Sequence, residues 1–269
     1  MGYIVLTERE RDELVELFLR LRSLSEKFPL AKAEAMTALR CLKAVHSNAI
    51  EDKSVDRIFL QVLLHGAGIE NKSEISKHYK NAASELKGQD NLLRWLESKA
   101  NEPPALSITM LQEMHQMMFE HSMPDMAGKF RQDEVRIKGM KHRPPHYSKV
   151  SEALFQHLEG INESLKEIDI GSRDLLLKVL DQSARIHYLV AHVHPFEDGN
   201  GRVARAAGDY VMLVHGFYYD VIMTDYRNIY LDSLESSTLA DTSPLHNFLE
   251  YSYLETLRRI SGFFDLIDK

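Results

Sequence analysis

Residues 194–205 read HPFEDGNGRVAR and bring several reactive side-chain types into one short segment. His194 carries an imidazole whose ordinary pKa, about 6.5, lets it take a proton at neutral pH. Asp198 is the hard oxygen ligand that Mg²⁺ prefers, with phosphates and water completing the shell. Gly199 and Gly201 let the backbone approach a ligand closely and adopt conformations that a Cβ forbids. Their N–H groups, with that of Asn200, stand at the start of a predicted helix, where unpaired donors and the helix dipole favour an anion. Arg202 and Arg205 are three apart on one helix face, and each can fork onto phosphate oxygens. Pro195 and Phe196 stiffen and anchor the loop. Singly, each has a plainer reading. The glycines can be a turn, Arg205 can pair with Asp209 one turn on, and His194 can simply end a helix. Together they describe a base beside a site for a phosphorylated ligand.

The elements that must position this loop read as helices. Thr7 and Glu10 form a capping box ahead of an amphipathic run to about residue 25. A second helix is predicted over 30–51, with Ala35, Ala38, Leu39, Leu42, Val45 and Ala49 as its buried stripe. Further helical patterns cover 54–66 and 74–99, and Asn101 to Pro104 reads as a joint. Thr109 with Gln112 opens the next helix. The period then changes: Val135 to Ile137 alternates, Gly139 supplies a turn, and Pro144 and Pro145 end what reads as a small hairpin or flap. Helices resume over 148–167, 173–192, 201–215, 226–240 and 244–266. The fold class is therefore all-α with one β-hairpin.

The chain has 269 residues, 44% hydrophobic and 27% charged, which suits a soluble domain able to bury a sizeable core. A single cysteine, Cys41, excludes an internal disulfide and fits a reducing cytoplasm. The N-terminus turns charged within eight residues, so no signal peptide is expected. No apolar run reaches the roughly 20 residues of a membrane span. A net charge of −7 argues against a broad nucleic-acid-binding face.

The segment HPFEDGNGRVAR matches the Fic motif, HxFx(D/E)GNGRxxR, at every fixed position, and the chain resembles the Fic family over most of residues 40–240. Ala184, His187 and Tyr188 before the motif and YRNIYLDSL after it carry the resemblance further. It implies an N-terminal helical region over 1–100 and a catalytic domain over 101–269. It also implies an enzyme that transfers AMP from ATP, with Mg²⁺, onto a Ser, Thr or Tyr hydroxyl of a target protein. His194 would be the base and Asp198 the metal ligand. Gly199, Asn200 and Gly201 would form the anion hole, Arg202 would hold the β-phosphate and Arg205 the γ-phosphate. Tyr230 stands where an adenine-pocket tyrosine is expected, although its usual partners are replaced by Leu231 and Thr238.

Residues 47–51, SNAIE, resemble the family's inhibitory motif, with Ser47 and Glu51 on one helix face and Asp52 in place of the usual Gly or Asn. The implied mechanism is a brake: Glu51 pairs with Arg205 in a largely buried ion pair and denies it to the γ-phosphate. The flap, Val135 to Pro145, would pair with the target's backbone as an added strand. Seven basic residues between 128 and 149, among them Arg131, Arg136 and Lys149, form a local positive patch there. Removal of AMP, use of another nucleotide donor, and a non-catalytic docking module are the alternatives. The sequence leaves the target protein and any homo-oligomer open.

Overall fold

Alternation of apolar faces with a period near 3.6 dominates the chain, and in the computed structural model the regular structure of the described residues is accordingly all helical. The structure describes residues 4–51, 74–102, 105–137, 141–169 and 174–265. Their helices are α1 (Glu8–Lys27), α2 (Pro29–Glu51), α3 (Glu74–Lys99), α4 (Ile108–Phe119), α5 (Val150–Lys166), α6 (Leu175–Val193), α7 (Asn200–Val214), α8 (Arg227–Ser236) and α9 (Ser243–Asp265).

The helix that follows the motif lies at the centre. In α7 every residue from Arg202 to Leu213 is buried, which its small Ala204, Ala206, Ala207 and Gly208 permit. Helix α6 packs along it, and α2, α3 and α4 close in on other sides, while α1 lies against α9. The capping box of α1 forms as read: the Thr7 side chain accepts from the Glu10 N–H, and Glu10 returns a bond to the Thr7 N–H at 2.8 Å.

Several expectations need correction. Helix α4 starts at Ile108, because Ser107 and not Thr109 caps it, its hydroxyl accepting from the Met110 N–H at 3.0 Å. Of the apolar stripe expected on α2, Ala35, Leu39 and Ala49 are buried, but Leu42 is exposed and Ala38 and Val45 are half-buried. The buried face instead includes Arg40 and Lys43. Arg40 meets Asp90 and Glu97 of α3, and Lys43 meets Asp209 of α7 at 2.8 Å. Ion pairing lets Arg40 and Lys43 share the inward face of α2 with its apolar residues. Helix α8 ends at Ser236, short of 240, where the chain turns and the Thr238 N–H donates to the Asp241 carbonyl. No strand and no hydrogen-bonded ladder pairs the flap arms, 134–137 and 141–146, among the described residues. The expected helix over 54–66, the turn at Gly139 and the position of Asp52 lie outside the described residues.

Candidate active site

Helix α6 ends at His194, which takes the left-handed conformation at φ 51° while its N–H still bonds the Val190 carbonyl. The chain thereby turns sharply out of α6 and into the loop. His194 Nδ1 faces the Ala191 carbonyl at 3.2 Å. Only a protonated Nδ1 can make that bond, so the lone pair of the neutral ring sits on Nε2. Burial lowers the His194 pKa, more than the Ala191 carbonyl and Glu51 raise it. The ring is thus a neutral acceptor of protons at pH 7.

The loop is braced from inside. Asn200 closes it with two bonds to Phe196: its side-chain oxygen accepts from the Phe196 N–H at 2.8 Å, and its amide donates to the Phe196 carbonyl at 2.9 Å. Gly199 sits at φ +75°, and a Cβ there would lie 2.3 Å from the Phe119 ring. His115, fully buried, accepts the Gly128 N–H on Nδ1 at 2.9 Å and lies 3.1 Å from the Asp198 carbonyl on Nε2. Its ring stacks on Phe196 at 4.0 Å. Arg131 ties the loop to the flap. Its Nε donates to the His194 carbonyl at 2.8 Å and its backbone N–H to the Pro195 carbonyl at 3.0 Å. Its Nη atoms donate to the Asp133 and Pro145 carbonyls. Arg131, read from sequence as part of a surface patch, is buried, and Lys149 is paired with Glu152. The patch shrinks to Lys129, Arg136, Lys141 and Arg143 among the described residues. No sequence signal marks His115 as a loop brace, since a histidine on an amphipathic helix reads as ordinary core.

Asp198 stands at the loop mouth with its side chain 57% exposed. One oxygen accepts the Gly199 N–H at 2.6 Å, and the other lies 3.7 Å from Arg202 Nη2. Among the described residues no group of three or more His, Cys, Asp or Glu side chains is placed to hold a metal ion. A lone exposed carboxylate nevertheless fits Mg²⁺, which keeps most of its waters and takes phosphate oxygens from its ligand.

The two arginines differ sharply. Arg205 is enclosed and fully answered: Nε donates to the Ser47 hydroxyl at 2.9 Å, and Nη2 to the Ser47 carbonyl and to Glu51 Oε1, each at 2.8 Å. Its Nη1 reaches the Tyr230 hydroxyl at 3.3 Å. Asp209, the plainer partner, is taken by Lys43 instead. Arg202 is equally enclosed, donating from Nη1 to Glu85 Oε2 at 2.6 Å and to Asn48 Oδ1 at 3.1 Å. Its Nε is buried and has no partner.

Glu51 reaches the loop from the last residue of α2. A Cβ on Gly201 would lie 2.3 Å from its Oε1, so the carboxylate rests on the start of α7, where the helix dipole favours an anion. Burial pushes the Glu51 pKa up, but Arg205, joined by Arg202 and Arg227, outweighs it and holds the group below the usual carboxylate value. The pair is not buried on both sides as expected: Arg205 is 1% exposed, whereas Glu51 keeps 39%. Tyr230 is itself buried, with its ring against Phe248 and its hydroxyl 2.8 Å from His187 Nε2.

Residues 105–212 match the family model described as the Fic/DOC family. The curated protein adenylyltransferase Fic of Culex quinquefasciatus is 24% identical over 228 residues, covering 81% of this chain and 44% of its own length. Protein adenylyltransferase fic-1 of Caenorhabditis briggsae is 26% identical, covering 82% of this chain and 41% of its own. The chain thus spans under half the length of the curated relatives it matches. Among solved structures, a Fic domain containing signaling protein from Bacteroides thetaiotaomicron matches with a TM-score of 0.74 at 18% identity, covering 94% of this chain and 97% of that one. Fic-1 of Caenorhabditis elegans matches with a TM-score of 0.67 at 24% identity, covering 96% of this chain and 73% of that one. The motif at every fixed position, the helical frame around it and these matches agree: the chain carries a Fic domain over residues 105–212.

Proposed function

We propose that this chain is a protein adenylyltransferase held in a restrained state by its own α2. The observation that carries the reading is the pairing of a free His194 Nε2 with an anion-binding helix start already occupied by a carboxylate. In the reaction, a target hydroxyl oxygen bonds to the α-phosphorus of ATP. The bond from that phosphorus to the bridging oxygen breaks, and pyrophosphate leaves with the electron pair. His194 Nε2 accepts the hydroxyl proton as the oxygen attacks. The N–H groups of Gly199 to Gly201 and the guanidinium of Arg202 stabilise the charge on the phosphates. Bound Mg²⁺, held by Asp198, would supply neutralisation of phosphate charge. Tyr230 supports the nucleotide through Arg205 rather than by an open ring face, since that ring is enclosed.

Glu51 and Ser47 together fill one edge of Arg205, so the γ-phosphate finds that arginine taken. The target would lie along the flap, with hydroxyl toward His194. Removal of AMP is a second reading, favoured by the Glu51 carboxylate standing over the loop, where it could orient water.

The test is labelling of a cell lysate with ATP carrying labelled α-phosphorus, using Glu51→Gly and Glu51→Gly/His194→Ala. Transfer by Glu51→Gly is expected, and loss of the base should lower it about 10²- to 10⁴-fold. Binding of Mg·ATP should hardly change. Transfer that survives loss of His194 refutes its role. AMP release from a labelled target by the wild type, absent in Glu51→Gly, favours the second reading.

A further inference from the structure

Glu85 is absent from the Fic motif and from the SNAIE segment, yet its carboxylate makes the shortest ion pair in the site, 2.6 Å to Arg202 Nη1. It comes from α3, a different helix from the one that carries Glu51. Two glutamates thus hold two neighbouring arginines, and the geometry of the two contacts is opposite.

A guanidinium has a side edge, formed by Nε and Nη2, and a far end that includes Nη1. In Arg205 the side edge is filled from α2, by the Ser47 hydroxyl on Nε and by the Ser47 carbonyl and Glu51 on Nη2. In Arg202 the contacts lie on Nη1, from Glu85 and Asn48. Its side edge is left over: Nε has no partner, and Nη2 has only Asp198 at 3.7 Å. The Phe119 ring lies 4.6 Å from the guanidinium carbon, so stacking fixes the plane while Glu85 fixes the direction. A buried N–H without an acceptor is costly and rare, and a doubly negative phosphate oxygen pair suits the vacant edge.

We infer that Glu85 is a positioning residue, which grips the Nη1 end of Arg202 so that the free Nε–Nη2 edge is presented to the nucleotide's phosphates. The inference rests on the adenylyltransferase reading above and deepens it. Where Glu51 withholds an arginine from the nucleotide, Glu85 presents one.

Sign separates this role from simple electrostatics. Removing a negative charge beside an anion site strengthens anion binding by Coulomb's law alone. Only a lost orientation weakens it. The experiment is calorimetric binding of Mg·ADP, which has no γ-phosphate and does not need Arg205. The full chain is used as wild type, Glu85→Ala, Glu85→Gln, Arg202→Ala and Arg202→Ala/Glu85→Ala. Glu85→Ala should bind Mg·ADP roughly 10-fold more weakly, the scale of one misplaced charge-assisted fork. Glu85→Gln keeps an acceptor oxygen and should recover most of the affinity. The double variant should bind no more weakly than Arg202→Ala, because Glu85 acts through that arginine. In a Glu51→Gly background, KM for ATP should rise more than kcat falls. Unchanged or tighter binding by Glu85→Ala overturns the inference, as does equal loss in Gln and Ala. Glu85→Gln preserves the size and bonding of the site, so its result stands even if Glu85→Ala proves unstable. Wild-type binding with unchanged Glu85 variants leaves the adenylyltransferase reading intact. No Mg·ADP binding by the wild type overturns both.

Discussion

The two sides of His194 are built differently. On the side proposed for the nucleotide, groups from α2, α3 and α8 answer every side-chain nitrogen of Arg205 and one end of Arg202. The contacts from α2 and α3 join residues more than a hundred positions apart in sequence. On the side proposed for the acceptor, the described flap arms are irregular and exposed or half-exposed, tied down by Arg131 at the Pro145 carbonyl, by a Lys141 N–H bond to Glu235 at 3.0 Å and by His142 at the His192 carbonyl. A closed side needs something removed before a ligand enters. An open side needs something added before it is ordered. ATP binding and target binding should therefore respond to different residues.

The largest expected effect lies on the closed side. Glu51→Gly frees one N–H of Arg205 Nη2 and removes the competing anion, and should raise labelling at least about 10-fold, the range of a typical coupling between two sites. Arg205→Ala should eliminate labelling, and the double variant should match it, since lifting a competitor cannot help once the contested group is gone. Stability should be asymmetric. Loss of Glu51 leaves the enclosed Arg205 without its counter-ion, but the Glu51 side is 39% exposed and lets water in, so it should cost about 1–3 kcal/mol. Loss of Arg205 leaves Ser47 and Tyr230 without their donor inside the core and should cost about 3–5 kcal/mol. Labelling rates and melting temperatures of the four proteins decide it. An unchanged rate in Glu51→Gly would make the acid an ordinary helix end.

A smaller and opposite effect is expected on the open side. Ile137→Pro removes a backbone donor from a flap arm. Transfer to a protein target should fall roughly 10-fold, a share of what backbone pairing contributes to a docked strand. Mg·ATP affinity should stay as it was. Parallel loss of both would mean that the flap supports the nucleotide site, and the contrast between the sides would collapse.

The motif residues were legible because the chemistry and the local backbone coincide. Gly199 needs a positive φ, Asn200 closes its own loop, and both facts are written within six residues. The α2 acid was legible through its spacing from Ser47, but its half-open setting was not, because exposure depends on what packs nearby. Glu85 and His115 were invisible for the same reason. Each acts across 83 residues or more, and neither spacing nor composition marks it. The buried face of α2 was misjudged where Arg40 and Lys43 replace apolar residues, since their partners come from α3 and α7. Local rules located the loop, and tertiary partners decided how it is held.

His115 offers the subtlest test, because it braces the loop that both sides share. Burial pushes its pKa down from 6.5 to about 4. As pH falls below about 6.5 the unfolded chain takes up this proton, whereas the folded chain resists until about 4. The stability tied to the neutral ring is thus complete above that window and is lost as pH falls through it. The full difference, 6.5 − 4 = 2.5 pH units, corresponds to about 3 kcal/mol at most, and at pH 5 about 2 kcal/mol of it should be gone. Protonation also turns Nδ1 from the acceptor of the Gly128 N–H into a second donor, which breaks the brace. His187 and His192 are shifted down as well and act in the same direction, while Asp220, pushed up to about 6, acts against them. Wild type alone cannot separate these groups, but a comparison with His115→Gln can. The glutamine cannot titrate, so its stability deficit relative to wild type should narrow between pH 7 and pH 5 by about 2 kcal/mol, or roughly 4–8 °C in melting temperature. A deficit that stays constant across that window would show that His115 is not held neutral by its surroundings, and that Phe196 and Asn200 alone secure the loop.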